Sequence, residues 1–378
     1  MNQEKKSDWK NVARSAWLPA VLLCGLAARF WIGTFGHNYD YDSERIIAGI
    51  TRSGENVYAS TDRYNYGPVW FQILHGLDLL SGGNEKVFRA LVIGFLSAVD
   101  IGIFFALRQK FGRLAATLFF LNPVSIMITG YHNQFDNVAL LLGFWSVMLF
   151  GDDFKKPIGR RKFFGLVVLG FSLMTKHLLF VFPLWLAVKQ RGMLQKWIVL
   201  IVPPLIFLAG FLPYWSAGRE GIIHNVFQYR SSTADFFYHF FMPGDIAYLA
   251  NSQTVWIAFL ILFAFICRKK NIFESLLIYT AVLVSTSPAM ANQYLAIPAA
   301  FVSVYVNPFS ICYILIAAVH IIADVNGPHL FKNFRGSYAD LAVYCLFLAL
   351  VWTMWREPII RVLQKCRREI NVQLGREE

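Results

Sequence analysis

Runs of about 20 apolar residues recur from one end of this chain to the other, and this feature limits its fold more than any other. As helix, a run of that length crosses the hydrocarbon core of a bilayer. In lipid every backbone polar group needs an internal partner, so only helices and closed barrels span it. A barrel would show alternating segments of about 10 residues, and these runs do not alternate. Composition agrees: 56% of residues are hydrophobic and 15% charged, where soluble domains are about a quarter charged. The expected fold class is all-α, a polytopic integral membrane protein of about twelve transmembrane helices. One transmembrane domain would cover residues 1–355, with a basic cytoplasmic tail over 356–378.

The net charge of +12 could suggest nucleic acid, but the positions of the basic residues argue otherwise. They fall in short clusters between apolar runs: Lys5, Lys6 and Lys10; Arg108, Lys110 and Arg113; Lys155 to Lys162; Lys189 and Arg191; Arg268 to Lys270. That is the positive-inside bias of cytoplasmic loops. The N-terminal run continues to about Trp31 without a small-residue cleavage site, so it reads as a retained first span over 16–35. Arg29, near its exit end, is expected to snorkel to the interface. The five cysteines show neither zinc-site nor disulfide spacing. Val69–Leu80 reads as an interfacial helix, and 295–306 as one of the last crossings. The stretch 163–188, interrupted by Thr175-Lys176-His177, reads as two short spans or a re-entrant hairpin.

Orientation by Lys and Arg alone sends Asp40, Asp42, His132, Asn133, Gln134, Asp136, Lys176, His177, Arg219, Arg230, Asn292 and Gln293 to the outer side. Ionisable groups beside a membrane are costly unless paired or facing water, which makes them site candidates. Carboxylates suit proton abstraction, and Lys, Arg and His suit an anionic phosphate. Plainer roles compete: a cap or Asx turn for Asp40 and Asp42, a helix cap for Asp136, and a surface ion pair between Glu44 and Arg45. The aromatics of Tyr58–Phe71 read as an interfacial belt rather than a sugar platform.

The first span, then Asp40-Tyr41-Asp42-Ser43-Glu44-Arg45, then Tyr64-Asn65-Tyr66-Gly67-Pro68, resembles the opening of GT-C glycosyltransferases that use polyprenyl-phosphate sugars. The likeness is to the dolichol-phosphate-glucose glucosyltransferases of N-glycan precursor assembly and to the GPI mannosyltransferase I catalytic subunit. Asp40 stands where the former open a D-[FY]-E-A-x-R-like motif, and Tyr66-Gly67-Pro68 departs from a Y-P-P-like motif by having Gly for the first Pro. Tyr131 to Asn137 is similar to an H-F-Q-Y-N-like motif, and Lys176-His177-Leu178 shares only its Lys with a K-Q-M-like one. Arg230 and Asn292-Gln293 stand where the family has loop residues near the donor.

The resemblance implies inverting transfer of a hexose, mannose or glucose, from a polyprenyl or dolichyl monophosphate. The acceptor would be a lipid-linked species or a glycan on the non-cytoplasmic face. Asp40 would be the catalytic base, with Asp42 orienting the acceptor or holding Asp40. Lys176, Arg230 and His132 would take the donor phosphate, and Gln134, Asn292 and Gln293 other parts of the substrates. No cofactor is expected; a Mg²⁺ or Mn²⁺ shared by Asp40 and Asp42 is the alternative. The rival function is a transporter or flippase for an anionic or lipid-linked substrate, which would show mid-membrane charges and inverted repeats. Short loops favour a bacterial inner membrane over the endoplasmic reticulum.

Overall fold

The computed structural model describes residues 3–229, 252–328, 330–331 and 334–373, with side chains from residue 16 to residue 356. The described chain is helical from end to end. Among the described residues, four helices are long and apolar enough to cross a membrane by themselves: Ala16–Gly33 of the first helix (α1, Gln3–Gly33), Glu85–Phe120, Met193–Phe227 and Ala339–Arg356. Shorter apolar helices, Asp136–Phe150, Ile272–Ser285 and Pro308–Ala323, pack among them. Exposed Trp197, Ile201, Leu205, Leu208 and Leu212 form a stripe at spacings of three and four, the surface a helix offers to lipid. The protein is a polytopic membrane protein.

Individual spans differ from a count of twelve continuous crossings. Within Glu85–Phe120, Gly112 takes φ 88°, and the chain turns there from one helix into the next. The expected crossing at 295–306 is instead a 3-10 turn, Asn292–Ala296, and the six-residue helix Ala299–Val304, all six of whose residues are inside or at the edge of the core. Pro298 and Pro308 bracket too few residues for a span. The stretch 163–188 runs out along Arg160–Thr175, breaks at Lys176 in extended backbone (φ −152°, ψ 125°) and returns through Phe182–Ala187. The last helix continues without interruption from Ala339 to Gln373.

The basic loops meet at one end. The Lys189 ammonium donates to the carbonyls of Cys267, Arg268 and Lys270 at 2.7, 3.2 and 2.7 Å. The Asp152 carboxylate accepts the Ile272 N–H at 2.6 Å, and Lys110 lies 4.7 Å from the Phe273 ring centroid. The polar loops after the first span, around His132 and around Asn292 meet at the opposite end.

Arg29 does not snorkel. It is fully buried, with Nη2 3.0 Å and Nε 3.1 Å from Asp100 Oδ2, and it also donates to the carbonyls of Gly25 and Phe120 and to the Ser125 hydroxyl. Asp100 in turn accepts from Thr129 and Asn137, both at 2.8 Å. An acid inside the second span supplies what the interface would have supplied, and the pair ties the first three membrane segments together. Replacing Arg29 by Leu leaves Asp100 buried without its counter-charge, and should cost about 3–5 kcal/mol. Thermal unfolding in detergent should show that loss, with most of it recovered in Arg29→Leu/Asp100→Leu.

Candidate active site

The helix α2, Tyr39–Arg52, carries the site because of how its residues are spaced. Asn38 caps it, its side-chain oxygen accepting the Asp40 N–H at 3.2 Å. Tyr41, Glu44, Ile47 and Ala48 are buried, at the three- and four-residue spacing of one helix face. Asp40, Ser43, Glu44 and Ile47, at the edge of that face, line a cavity of about 330 Å³. Its other walls include Arg63, Tyr66 and Trp70 from the segment after α2, then Gln134, Phe135, Gln293 and Tyr294.

Asp42 was expected beside Asp40 and is not. Two positions along a helix rotate a side chain to the far side, and Asp42, half exposed, meets His37 Nε2 at 3.1 Å. The expected pair of Glu44 and Arg45 also differs: Arg45 bonds Glu85 at 2.9 Å, and Glu44 is buried.

Asp40 is held from behind. Asn38 Nδ2 donates to Asp40 Oδ2 at 2.9 Å and to His132 Nδ1 at 2.7 Å. With Nδ1 as acceptor, the ring proton sits on Nε2, which is buried without a partner among the described residues. His132 is thus linked to Asp40 through Asn38 and does not line the cavity. It ends a π turn, Ile128–His132, and Asn133 follows in the left-handed region (φ 57°), a conformation Asn tolerates. That turn aims Gln134 and Phe135 at the cavity.

Lys176 lies behind the same wall. It is buried and 2.7 Å from Asp136 Oδ2, with Gln134 Oε1 at 3.5 Å and the Tyr66 and Phe135 ring centroids at 5.0 and 4.9 Å. The Tyr66-Gly67-Pro68 loop reaches it because residue 67 is Gly: a Cβ there would collide with the Met174 carbonyl. Gln293 lines the cavity. Asn292 turns away, donating to Asp324 and meeting His320 Nε2, both at 2.9 Å. Arg230 lies outside the described residues.

Three cavity residues escaped the sequence reading. The Arg63 guanidinium stacks on Tyr39, 3.9 Å from the ring centroid, and its Nε and Nη2 are buried without partners among the described residues. Nothing in Thr61-Asp62-Arg63 separates it from an ordinary polar loop. Both Glu44 oxygens and Trp70 Nε1 are likewise buried without a well-formed hydrogen bond among the described residues. Here a signal existed, since Glu44 falls at the helical spacing of Tyr41, Ile47 and Ala48. Burial first, and then the charge of Asp40, push the Glu44 carboxyl well above the usual range, toward its protonated form.

A second cavity, about 300 Å³ and mainly apolar, adjoins the first and shares Tyr229 and Tyr294 with it. Leu178, Phe180, Trp256, Ile257 and Leu283 form much of its wall. Among the described residues, no group of three His, Cys, Asp or Glu is arranged to hold a metal ion.

No protein-family model and no curated protein sequence matches the chain. Among solved structures, the fold is similar to that of ArnT from Cupriavidus metallidurans in the apo state, with a TM-score of 0.53 and 16% identity. The match covers 90% of this chain and 77% of that one. At this identity the likeness speaks for the fold alone.

The Lys176–Asp136 pair makes a separate expectation for stability. Lys176→Met strands a buried carboxylate and should cost about 3–5 kcal/mol, most of it restored in Lys176→Met/Asp136→Asn. Denaturation in detergent micelles measures this; a change within about 0.5 kcal/mol would mean Lys176 behaves as a surface residue.

Proposed function

We propose that this protein is an inverting glycosyltransferase that moves a hexose from a polyprenyl monophosphate to a lipid-linked or glycan acceptor on the non-cytoplasmic face of its membrane. The observation carrying this reading is that two unlike cavities lie side by side and share Tyr229 and Tyr294 as wall. A polar one holds Asp40 and Arg63, and an apolar one opens beside it past Tyr229 and Tyr294. A lipid-phosphate sugar has the same two halves: a polar head to be activated and an isoprenoid tail to be kept in an apolar groove. The GT-C-like fold supports the same class of donor.

In this reading the acceptor hydroxyl approaches the anomeric carbon from the side opposite the phosphate. Asp40 takes its proton as the new glycosidic bond forms. The anomeric carbon–oxygen bond to phosphate breaks, and the phosphate monoester leaves with the electron pair. Arg63 is the group that meets the leaving charge, because it is stacked in place and has unpartnered N–H donors on the cavity wall. Lys176 contributes its field from behind Tyr66 and Phe135, part of its charge being balanced by Asp136. His132 acts on Asp40 through Asn38 rather than on the phosphate. A flippase or transporter would keep a charged mid-membrane group open to its cargo, whereas every polar atom of Arg29 is engaged.

Purified protein given labelled mannosyl- and glucosyl-polyprenyl phosphates should transfer one of them to acceptor. Asp40→Asn should slow transfer by about 10²–10⁴ while leaving donor binding largely unchanged. Arg63→Leu should weaken donor binding instead. Near wild-type turnover in Asp40→Asn would remove the assigned base.

A further inference from the structure

Within the glycosyl-transfer reading, on which this inference rests, we propose that Glu44 and Trp70 form a reader for a hydroxyl of the transferred sugar, distinct from the groups that hold the phosphate. Both line the cavity. Glu44 is 3% and Trp70 1% exposed, yet among the described residues neither the carboxyl oxygens nor the indole N–H makes a hydrogen bond of normal geometry, the indole lying only near enough to the carboxyl to act on its charge. A buried polar group left unmatched destabilises a fold, so two of them on one cavity wall point to a ligand that matches both.

The chemistry of the two groups selects that ligand. An indole N–H only donates. A protonated carboxyl both donates and accepts, and the surroundings of Glu44 favour that form: burial, then the Asp40 charge, against smaller opposing effects of the neighbouring Trp70 indole and of Lys176. The complement is a group that can accept from one and donate to the other, which a sugar hydroxyl does. A phosphate anion accepts only, and would leave the carboxyl's acceptor oxygen unmatched. Trp70 cannot swing away to serve some other role, since its ring stacks on Phe135 at 4.4 Å and 11°.

Position assigns the reader to the donor sugar. Glu44 follows Asp40 by one helical turn, about 6 Å along the axis. Asp40 is half-buried at the cavity mouth and Glu44 fully buried. The base meets the incoming acceptor at the mouth, and the ring being transferred fills the space beyond it. A missing hydroxyl then leaves buried groups unpaired again, which is how polar sites discriminate most strongly.

The test measures binding of three probes to the purified full-length protein: mannosyl-polyprenyl phosphate, glucosyl-polyprenyl phosphate and bare polyprenyl phosphate. Wild type should bind one of the sugar-bearing lipids about 10- to 100-fold more tightly than the bare lipid. Glu44→Leu and Trp70→Phe should bring that ratio near one and leave binding of the bare lipid unchanged. Glu44→Gln, which still donates and accepts, should keep most of the preference. Glu44→Leu should also melt higher than wild type, because it removes an unmatched buried acid, whereas a structural role would make it melt lower. Retained preference in Glu44→Leu and Trp70→Phe, or equal weakening of all three probes, would overturn the assignment. Wild type binding all three equally would overturn it and leave the transferase reading standing; wild type binding none would remove both.

Discussion

In a body this apolar, no charge can be left inside without a partner, and the way each buried charge is matched organises the protein. Moving an isolated ion out of water costs several kcal/mol even after relaxation. Arg29 meets that cost with Asp100 and a shell of carbonyls and hydroxyls, and so clamps the first membrane segments. Lys189 meets it with three carbonyls at the basic end. Lys176 meets it with Asp136 at the outer end. These matched groups are framework. Among the groups left unmatched in the described residues, Glu44, Arg63 and Trp70 lie on one cavity.

That cavity depends on a few local backbone choices. Asn38 starts α2 and grips Asp40 with the same side chain, so the register of the helix and the position of the Asp40 carboxylate are fixed together. His132 steadies Asn38, and the left-handed Asn133 behind it turns Gln134 and Phe135 inward. Gly67 allows the Tyr66 loop to touch the broken end of Arg160–Thr175, where Lys176 stands. Each device belongs to a different loop, and each loop is held by a membrane helix. The transmembrane body thus assembles the site, and in the proposed function it also holds the lipid substrate.

Much of this was legible in the sequence because it follows from one-dimensional rules. Apolar run length fixed the class, and the alternation of basic clusters fixed which loops share an end, as the Lys189 and Asp152 contacts bear out. The same rule brought Asp40, Gln134 and Gln293 to one side, where they line one cavity. What was not legible depends on angles and on distant partners. Asp42 differs from Asp40 by two positions, and only the helical phase of α2 separates them. Arg29 looked like a snorkelling residue because Asp100, its partner, is 71 positions away. Asn292 and Gln293 are neighbours in sequence but face different surroundings. Glu44 could have been found from the spacing of Tyr41, Ile47 and Ala48, had the segment been read as a helix face and not as a polar loop.

The claim under all of this is that unmatched polar groups and an adjoining apolar groove together hold a sugar on its isoprenoid carrier. A cryo-EM structure of the protein with a mannosyl- or glucosyl-polyprenyl phosphate tests it most directly. The account predicts the phosphate within hydrogen-bond distance of Arg63, the sugar against Glu44 and Trp70, Asp40 facing the anomeric carbon, and the chain running past Tyr294 toward Trp256. A lipid seated elsewhere, with this cavity filled only by water, would contradict it.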